Sequence, residues 1–380
     1  MKFSVTNNQL FDAVNKVIGV VPSRSTLPIL GNILLDLKGD ELTLTGSDLD
    51  VYVESRINVS AKSDGQITIP AKKLESLLQN LGEKEINLEL QPNFRFVIKT
   101  KGGRWTITGE NPADYPMPSE FEPVNKISIN HELLTRYLTK AVHAASQDEL
   151  RRGMNGVFFE VNNNELRIVS TDGHRLVKIV RKGFQYEGDR LTMLVPIKTC
   201  NLINRLMKTK ASDKSGTEAE EIDIFFSREL IKVTYGNTTI VSKLIDDSFP
   251  NYESVIPTDN EKILKINRAD LLDSLKRSIV MSDPITNKIT FTIISDELKI
   301  SASNTEYGTD ADETIKCSFT EKEDFEIAFN GRYLIEALQS YETDEVLFDI
   351  NSPLKAVIIR PSEQNKDEDV IMLIMPVRNI

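Results

Sequence analysis

The chain has 380 residues, of which 40% are hydrophobic and 27% charged, and its formal net charge is −11, a composition typical of a globular protein with about two to three domains. No stretch approaches the roughly 18 to 20 apolar residues of a membrane helix, and Met1 to Val5 lead into a strand pattern rather than a signal peptide. Only two cysteines and three histidines are present, none of them clustered, which excludes a disulfide framework, leaves little material for structural zinc and favours a reducing cytosol.

Taken in chain order, the predicted elements occur three times. An alternating Glu-Leu strand begins at Glu41, Glu165 and Glu297, at spacings of 124 and 132 residues. A turn former follows seven residues after each Glu, at Asp48, Asp172 and Asn304. A repeat of this length indicates domain-sized units, and such units commonly build a symmetric assembly.

Each copy is predicted to contain two helices and an antiparallel sheet, an α+β arrangement. A short strand ends in an Asn suited to an N-cap (Asn7 or Asn8, Asn130, Asn267), a helix and a hairpin follow, and a further strand leads into a second helix and two closing strands. Acidic, proline-bearing linkers lie at 116–123 and 257–261. We therefore predict domains at 1–120, 127–254 and 262–380. Apolar spacing predicts the six helices at 7–18, 70–82, 130–143, 196–210, 267–279 and 330–341.

Positive charge is concentrated in these helices. They hold thirteen Lys and Arg against six acidic residues, so they sum to +7 while the rest of the chain carries −18. The simpler interpretation of any one helix is a solvated charged face. None of the six is net acidic, however, and a positive helical face within an acidic protein would attract a polyanion to one surface through sequence-independent phosphate contacts.

Motifs for catalysis are mostly absent. The chain has no phosphate-binding glycine loop, no dinucleotide fingerprint, no His-Glu-x-x-His and no nucleophile elbow. Asp48 and Asp50 could hold a divalent ion, but the repeat favours a turn at Asp48. The sequence from Ser170 to Arg175 contains Asp-Gly, a hairpin signal, and its Gly-His-Arg extension occurs only in copy two, which makes it a candidate binding site. The apolar end of the chain, from Leu373 to Ile380, is either the wall of a hydrophobic groove or a plain last strand.

These residues together resemble one family. The triple repeat, the Thr26 to Leu30 stretch, Ser170 to Leu176, Phe249 to Tyr252 and Met375 to Arg378 are similar to the bacterial DNA polymerase III β subunits, the replicative sliding clamps, over the entire chain. The resemblance implies three DNA-clamp domains per protomer and a head-to-tail homodimer that closes as a ring around duplex DNA, with helices lining the hole. It implies a cytoplasmic processivity factor without catalytic activity, cofactor, metal or membrane contact.

The resemblance also implies partners and sites. The partners are the DNA polymerase III α subunit, the clamp loader and other proteins with a clamp-binding motif, which insert a short peptide between the second and third domains. The implied peptide groove comprises Met154, Thr171, Gly173, His174, Arg175, Leu176, Pro250, Val255, Asn330, Tyr333, Met375, Pro376, Val377 and Arg378. The implied DNA contacts are Arg24, Lys72, Gln147, Arg151, Arg152 and Lys198, and the implied dimer contacts are Arg104, Trp105, Ile107, Ile279, Val280 and Glu306, with Asp310, Asp312 and Glu313 as further acids.

The chain departs from the family pattern in places. Ser254 stands where an Arg often lies, Thr286 where an aromatic can be, and Pro353 to Lys355 replace a small polar run. Gly153 replaces an aromatic found in some relatives. These departures predict a changed motif preference with the groove itself retained. Two other functions stay open on the residues alone: a hydrolase or transferase that uses Asp172 and His174, and a monomeric polyanion-binding protein.

Overall fold

The computed structural model describes residues 1–82, 85–118, 121–208 and 221–378. The predicted helix end at 209–210, part of the first linker at 119–120 and the last two residues of the apolar chain end lie outside the described residues. The first copy contains β1 (Lys2–Thr6), α1 (Asn7–Ile18), β2 (Asn32–Lys38), β3 (Glu41–Ser47), β4 (Val51–Asn58), β5 (Ser60–Ser63), β6 (Gly65–Pro70), α2 (Ala71–Leu81), β7 (Glu85–Gln91), β8 (Arg95–Lys99) and β9 (Arg104–Thr108).

The second and third copies repeat this order without an equivalent of β5. The second contains β10 (Asn125–Asn130), α3 (His131–Val142), β11 (Gly156–Asn162), β12 (Glu165–Thr171), β13 (Arg175–Lys182), β14 (Leu191–Pro196), α4 (Ile197–Lys208), β15 (Glu221–Phe226), β16 (Leu230–Tyr235) and β17 (Thr238–Lys243). The third contains β18 (Lys262–Asn267), α5 (Arg268–Ser278), β19 (Lys288–Ile294), β20 (Glu297–Asn304), β21 (Thr309–Phe319), β22 (Phe325–Asn330), α6 (Gly331–Ser340), β23 (Glu345–Ile350), β24 (Val357–Pro361) and β25 (Glu368–Ile374).

The predicted helices are confirmed, with limits close to those expected. In α1 the predicted apolar face is the buried one, formed by Leu10, Ala13, Val14 and Val17. The Asn130 and Asn267 side chains accept hydrogen bonds from backbone N–H groups in the first turns of α3 and α5, as predicted. The N-cap prediction for α1 is wrong.

Thr6 caps α1, because its hydroxyl oxygen accepts from the Gln9 N–H. Asn7 is buried instead, and its side-chain amide donates to the Leu78 carbonyl oxygen in α2 at 2.9 Å. The Asn therefore ties the two helices of the copy together rather than ending one of them.

Each copy consists of two halves with the order strand, helix and three strands. The halves exchange their first strands: β1 lies beside β7, and β6 lies beside β2. The same exchange recurs in copies two and three, where β10 pairs with β15 and β14 with β11, β18 with β23 and β22 with β19. The strands β7, β15 and β23 were not predicted, so over the described residues each copy has three strands after its second helix rather than two.

The sheets continue from one copy into the next. The last strand of copy two, β17, pairs with β4 of copy one, and the last strand of copy three, β25, pairs with β13 of copy two. The sheets consequently have five, eight and twelve strands. All pairs in them are antiparallel, as predicted for an α+β protein.

The chain divides into two compact units. Residues 1–135 with 198–244 form the first unit, and residues 136–197 with 245–380 form the second. The first unit contains the five- and eight-stranded sheets, and the second contains the twelve-stranded sheet. The division runs through copy two because that copy shares a sheet with each neighbour. The predicted domain limits at 1–120, 127–254 and 262–380 stay predictions.

Candidate functional site

The turn from Thr171 to Arg175 joins β12 to β13 in the second unit. One carboxylate oxygen of Asp172 accepts from the backbone N–H groups of His174 and Arg175, at 2.9 and 3.0 Å. The Thr171 hydroxyl donates to the Arg175 carbonyl oxygen at 2.7 Å and accepts from the Gly173 N–H. Gly173 has φ +88°, a conformation that favours glycine. The predicted hairpin turn is confirmed.

Arg175 holds this turn against two other elements. Its side chain is only 12% exposed and makes an ion pair of 3.0 Å with Asp172. It also pairs with Glu336 of α6 and donates to the carbonyl oxygen of His143, just after α3. The guanidinium lies over the Tyr333 ring, 4.2 Å from the ring centroid. Because the planar guanidinium binds several partners at once, it fixes the start of β13 more firmly than a lysine ammonium could.

His143 is affected by that guanidinium. Burial of the imidazole and, secondly, the positive charge of Arg175 lower the pKa of His143 from 6.5 to about 4. The imidazole is therefore neutral at neutral pH.

Apolar side chains gather beside the turn. Leu176 of β13 and Leu373 of β25 are directly paired across the sheet, and both are buried. They belong to a core cluster with Val169, Tyr252 and Ala356, against which Phe158, Phe249 and Ile256 pack.

The cluster is packed against by a stacked pair of aromatic rings, and two exposed apolar side chains lie close to it in sequence. The rings of Phe158 and Phe249 are stacked, with centroids 4.8 Å apart. The predicted groove residues Val255 and Met375 remain 56% and 41% exposed. Exposed apolar side chains close in sequence to a buried apolar cluster are typical of a surface that binds a peptide.

The end of the chain is fastened beside the same turn. The Met375 N–H donates to the His174 carbonyl oxygen, and the Val377 N–H donates to the Ala328 carbonyl oxygen in β22, both at 2.8 Å. Residues 375–378 thus continue past β25 without forming another strand. The structure brings His174, Arg175 and Leu176 together with Tyr333 and Met375. That these residues line a peptide groove stays a prediction.

A partly buried charge network includes Tyr252 of this cluster. The Tyr252 hydroxyl lies 3.2 Å from a carboxylate oxygen of Glu160, a residue that is itself buried. Glu160 also pairs with Arg190 at 2.7 Å, and Arg167 pairs with Glu253 at the same distance. Tyr252 and Phe158 were not among the residues expected in the groove, although Tyr252 belongs to the family signature. Leu373 was expected in a groove wall or a last strand, and it lies in β25.

The remaining predicted groove residues have local roles. The Asn330 side chain caps α6 through the Arg332 N–H, at 3.0 Å. Met154 is half-buried and Pro250 is exposed. A Cβ on Gly153 would fall well inside contact distance of the Ser248 carbonyl oxygen, so the turn before Met154 packs on the chain just before Pro250. All fourteen predicted groove residues lie in the second unit.

Three departures from the family pattern are engaged locally. The Ser254 hydroxyl donates to the Asn251 carbonyl oxygen, and the Thr286 hydroxyl donates to Asp283. Lys355 forms an ion pair with Asp259 at 2.6 Å.

The candidate DNA contacts are all exposed. Within the described residues, the side chains of Arg24, Lys72 and Arg152 make no ion pair, while Gln147 lies in the loop that carries Arg151 and Arg152. Lys198 pairs with Asp48, and Arg151 pairs with Asp148 at 3.5 Å. Asp48 also accepts from the Asp50 and Val51 N–H groups, so it forms the predicted turn. Within the described ranges, no group of three or more His, Cys, Asp or Glu side chains could hold a metal ion.

The candidate dimer residues lie on β9, in the segment after α5 and in the turn between β20 and β21. Arg104 and Trp105 are exposed on β9, while Ile107 of that strand is buried within its own sheet. Val280 is 72% exposed, Ile279 is half-buried and Glu306 is exposed.

The Asp172 carboxylate is engaged within its own turn. One of its oxygens accepts from two backbone N–H groups and the other accepts from the Arg175 guanidinium. Over the residues that the structure describes, no helix is long and apolar enough to cross a membrane.

The fold and site define a DNA clamp, with two helices and antiparallel sheet in each of three copies. Family descriptions of the DNA polymerase III beta subunit match throughout: the N-terminal domain at residues 1–119, the central domain at 128–251 and the C-terminal domain at 253–378. The beta sliding clamp of Pseudomonas putida is 30% identical over 380 residues, covering all of both chains.

Solved structures agree with the sequence matches. The DNA polymerase III subunit beta of Pseudomonas aeruginosa is 29% identical, with a TM-score of 0.90 and full coverage of both chains. A sliding clamp of Bartonella birtlesii, solved bound to griselimycin, is 27% identical, with a TM-score of 0.92, and covers 100% of this chain and 99% of its own. The chain belongs to the DNA polymerase III β subunit family, the replicative sliding clamps.

Proposed function

We propose that two copies of this chain close head to tail into a ring around duplex DNA and tether replication proteins through the groove described above. A tethered polymerase that would otherwise dissociate then slides along the duplex. The clamp itself makes and breaks no covalent bond. The protein acts in the cytoplasm, with domains at 1–120, 127–254 and 262–380. One observation supports the ring. Copies two and three each pair their last strand with the copy before them, whereas the last strand of copy one has no such partner among the described residues.

The last strand of a copy pairs with the fourth strand of the copy before it. This holds for β17 with β4 and for β25 with β13. Among the described residues, β9, the last strand of copy one, is an unpaired edge, and the outer edge of β21 is unpaired from Thr309 to Lys316. Unpaired edges are ready templates for a strand of another chain, and the repeat assigns β9 of one subunit to β21 of the other.

Charge and apolar surface suit that assignment. The β9 edge carries Arg104 and the exposed Trp105, and the β21 edge carries Asp310 and Asp312. Val280 adds an exposed apolar side chain to the third copy. Opposite charges across strand pairs and a central aromatic side chain both stabilise an interface. Each subunit offers one β9 edge and one β21 edge, so a head-to-tail pair closes on itself.

DNA would be held by weak phosphate contacts from the helices and loops. Arg24, Lys72, Gln147, Arg151, Arg152 and Lys198 are exposed side chains that can reach phosphate oxygens directly or through water. An excess of basic residues on the helices and an acidic remainder fit a duplex that is centred in a hole and slides without sequence preference.

Partner proteins would bind through a short motif with Gln and apolar anchors. The α subunit of DNA polymerase III, the clamp loader and other clamp-binding proteins are the expected partners. Exposed Val255 and Met375, together with the buried Leu176 and Leu373 cluster, offer apolar contacts, and the Arg175 and His174 turn offers polar ones. The order in which partners compete depends on the departures at Ser254 and Thr286.

The test asks whether the protein stays on DNA because it encircles the duplex. The clamp is loaded by its clamp loader onto nicked circular DNA, the complex is isolated by gel filtration, and the DNA is then cut once. We expect retention on the circle and loss after linearisation, and sedimentation at about twice the 42.9 kDa protomer mass. Equal retention on circular and linear DNA, or a monomer at micromolar concentration, would contradict the ring. Deletion of residues 375–380 should weaken polymerase and loader binding and spare dimerisation.

A further inference from the structure

A compact loop presents Arg151 to the turn that forms one wall of the groove. The Ser146 N–H donates to the Met154 carbonyl oxygen and closes the loop, and the Asp148 carboxylate accepts from the Leu150 N–H. Arg151 is also held within the loop by its ion pair with Asp148 at 3.5 Å. Its guanidinium is therefore positioned by a short structured loop rather than extended freely into water.

Arg151 makes two contacts with the Thr171 to Arg175 turn. One guanidinium nitrogen donates to the Asp172 carbonyl oxygen at 3.3 Å. The same nitrogen would lie 3.4 Å from a Cβ placed on Gly173, so the guanidinium covers the glycine that has φ +88°. A charged donor on the Asp172 carbonyl oxygen restricts the turn as well as pairing with it.

The contact continues to the end of the chain through two further hydrogen bonds. The Asp172 carboxylate accepts from the His174 N–H, and the His174 carbonyl oxygen accepts from the Met375 N–H. Arg151 is thus linked to Met375 through Asp172 and His174. Loss of the first bond would loosen a turn whose position determines where His174 and Met375 meet a peptide.

We propose that Arg151 is a positioning residue of the peptide groove in addition to a phosphate contact, whereas its neighbour Arg152 serves DNA alone. This inference rests on the proposed function, because it assigns a second role to one of the DNA contacts. Arg152 offers a matched control: it is exposed in the same loop, carries the same charge, and makes no ion pair or side-chain hydrogen bond among the described residues.

The experiment compares Arg151→Gln, Arg151→Lys and Arg152→Gln with the wild-type dimer. Binding of a fluorescein-labelled Gln-Leu-Ser-Leu-Phe peptide is measured by anisotropy without DNA, and DNA binding is measured separately as a function of salt. We expect Arg151→Gln to bind the peptide about fivefold more weakly, the effect of losing one exposed charge-assisted hydrogen bond, with an unchanged melting temperature. Arg151→Lys, which keeps a charged donor on a long side chain whereas Gln offers only a shorter neutral amide, should stay close to wild type, and Arg152→Gln should match wild type.

Two results would overturn the inference: equal peptide affinity of Arg151→Gln and Arg152→Gln, or an equal loss in Arg151→Lys and Arg151→Gln. Amide hydrogen exchange gives a second readout, because only Arg151→Gln should speed exchange at His174 and Met375. Failure of the wild-type dimer to bind the peptide at all would instead contradict the proposed function. The DNA assay separates the two roles, since both glutamine variants should reduce the salt dependence by about one phosphate contact.

Discussion

Stability should fall on mild acidification because of one half-buried histidine, His143. Burial and the nearby Arg175 lower the pKa of His143 to about 4 in the folded protein, against 6.5 for an unperturbed imidazole. Between these values the unfolded chain binds a proton that the folded chain excludes. The contribution of His143 is therefore fully present above about pH 6.5 and is lost as the pH falls towards 4.

The magnitude follows from the two pKa values. From pH 7 to pH 5 the free energy of unfolding should decrease by about 2 kcal/mol through this residue alone. The assay is urea denaturation at fixed protein concentration, at several pH values across that range. His143→Gln removes the titrating group and should flatten the slope, whereas His174→Gln retains His143 and should keep the slope.

NMR titration of the imidazole provides a direct check. Arg175→Ala removes the second cause of the shift and should raise the pKa of His143 above about 4, while burial should keep it below 6.5. An equal dependence of stability on pH in His143→Gln and in the wild-type protein would refute the reasoning, because the proton uptake would then belong to other groups.

Three other changes test the packing around the site. Arg175→Lys keeps the positive charge but loses the planar guanidinium that pairs with several partners and stacks on the Tyr333 ring. It should lower the free energy of unfolding by about 1–2 kcal/mol and weaken peptide binding. Urea unfolding and peptide affinity equal to those of the wild-type protein would contradict this. Gly153→Ala places a Cβ against the Ser248 carbonyl oxygen and should lower the melting temperature, whereas Gly31→Ala meets nothing within 4 Å and should be close to neutral by calorimetry. Trp105→Ala should weaken dimerisation by about 2–4 kcal/mol, measured by sedimentation equilibrium, with the circular dichroism of the subunit unchanged; an unaffected dimer would place Trp105 outside the interface.

The sequence was most informative where the signal is local. Apolar spacing predicted all six helices, and the Asp172 turn followed from its Asp-Gly pair. β7 was missed although Glu85 to Leu90 alternate between polar and apolar residues. That pattern was available, but it lies beside a helix with a stronger signal. The Asn7 prediction failed because two polar residues compete at one helix start, and only the three-dimensional contact with Leu78 decides between them.

Long-range pairing had no counterpart in any local pattern. The exchange of first strands between halves, such as β1 beside β7, joins segments about 80 residues apart in the chain. Similarly, Leu373 reaches the groove only because β25 pairs with β13. The repeat revealed three copies but not their two halves, since each half is too short and too varied for its strand order to be recognised without the structure.

The two strand pairs that join copies within the chain, β4 with β17 and β13 with β25, bear on how a closed ring would open. If either of these joints separated, its strands would remain on one polypeptide, and their high effective concentration would favour rapid re-pairing. An interface between β9 of one subunit and β21 of the other would use the same kind of backbone pairing, but its two strands would lie on different polypeptides. A clamp loader would then need only to open one such interface and cover its exposed strand edge. The interface would form again when that edge was released.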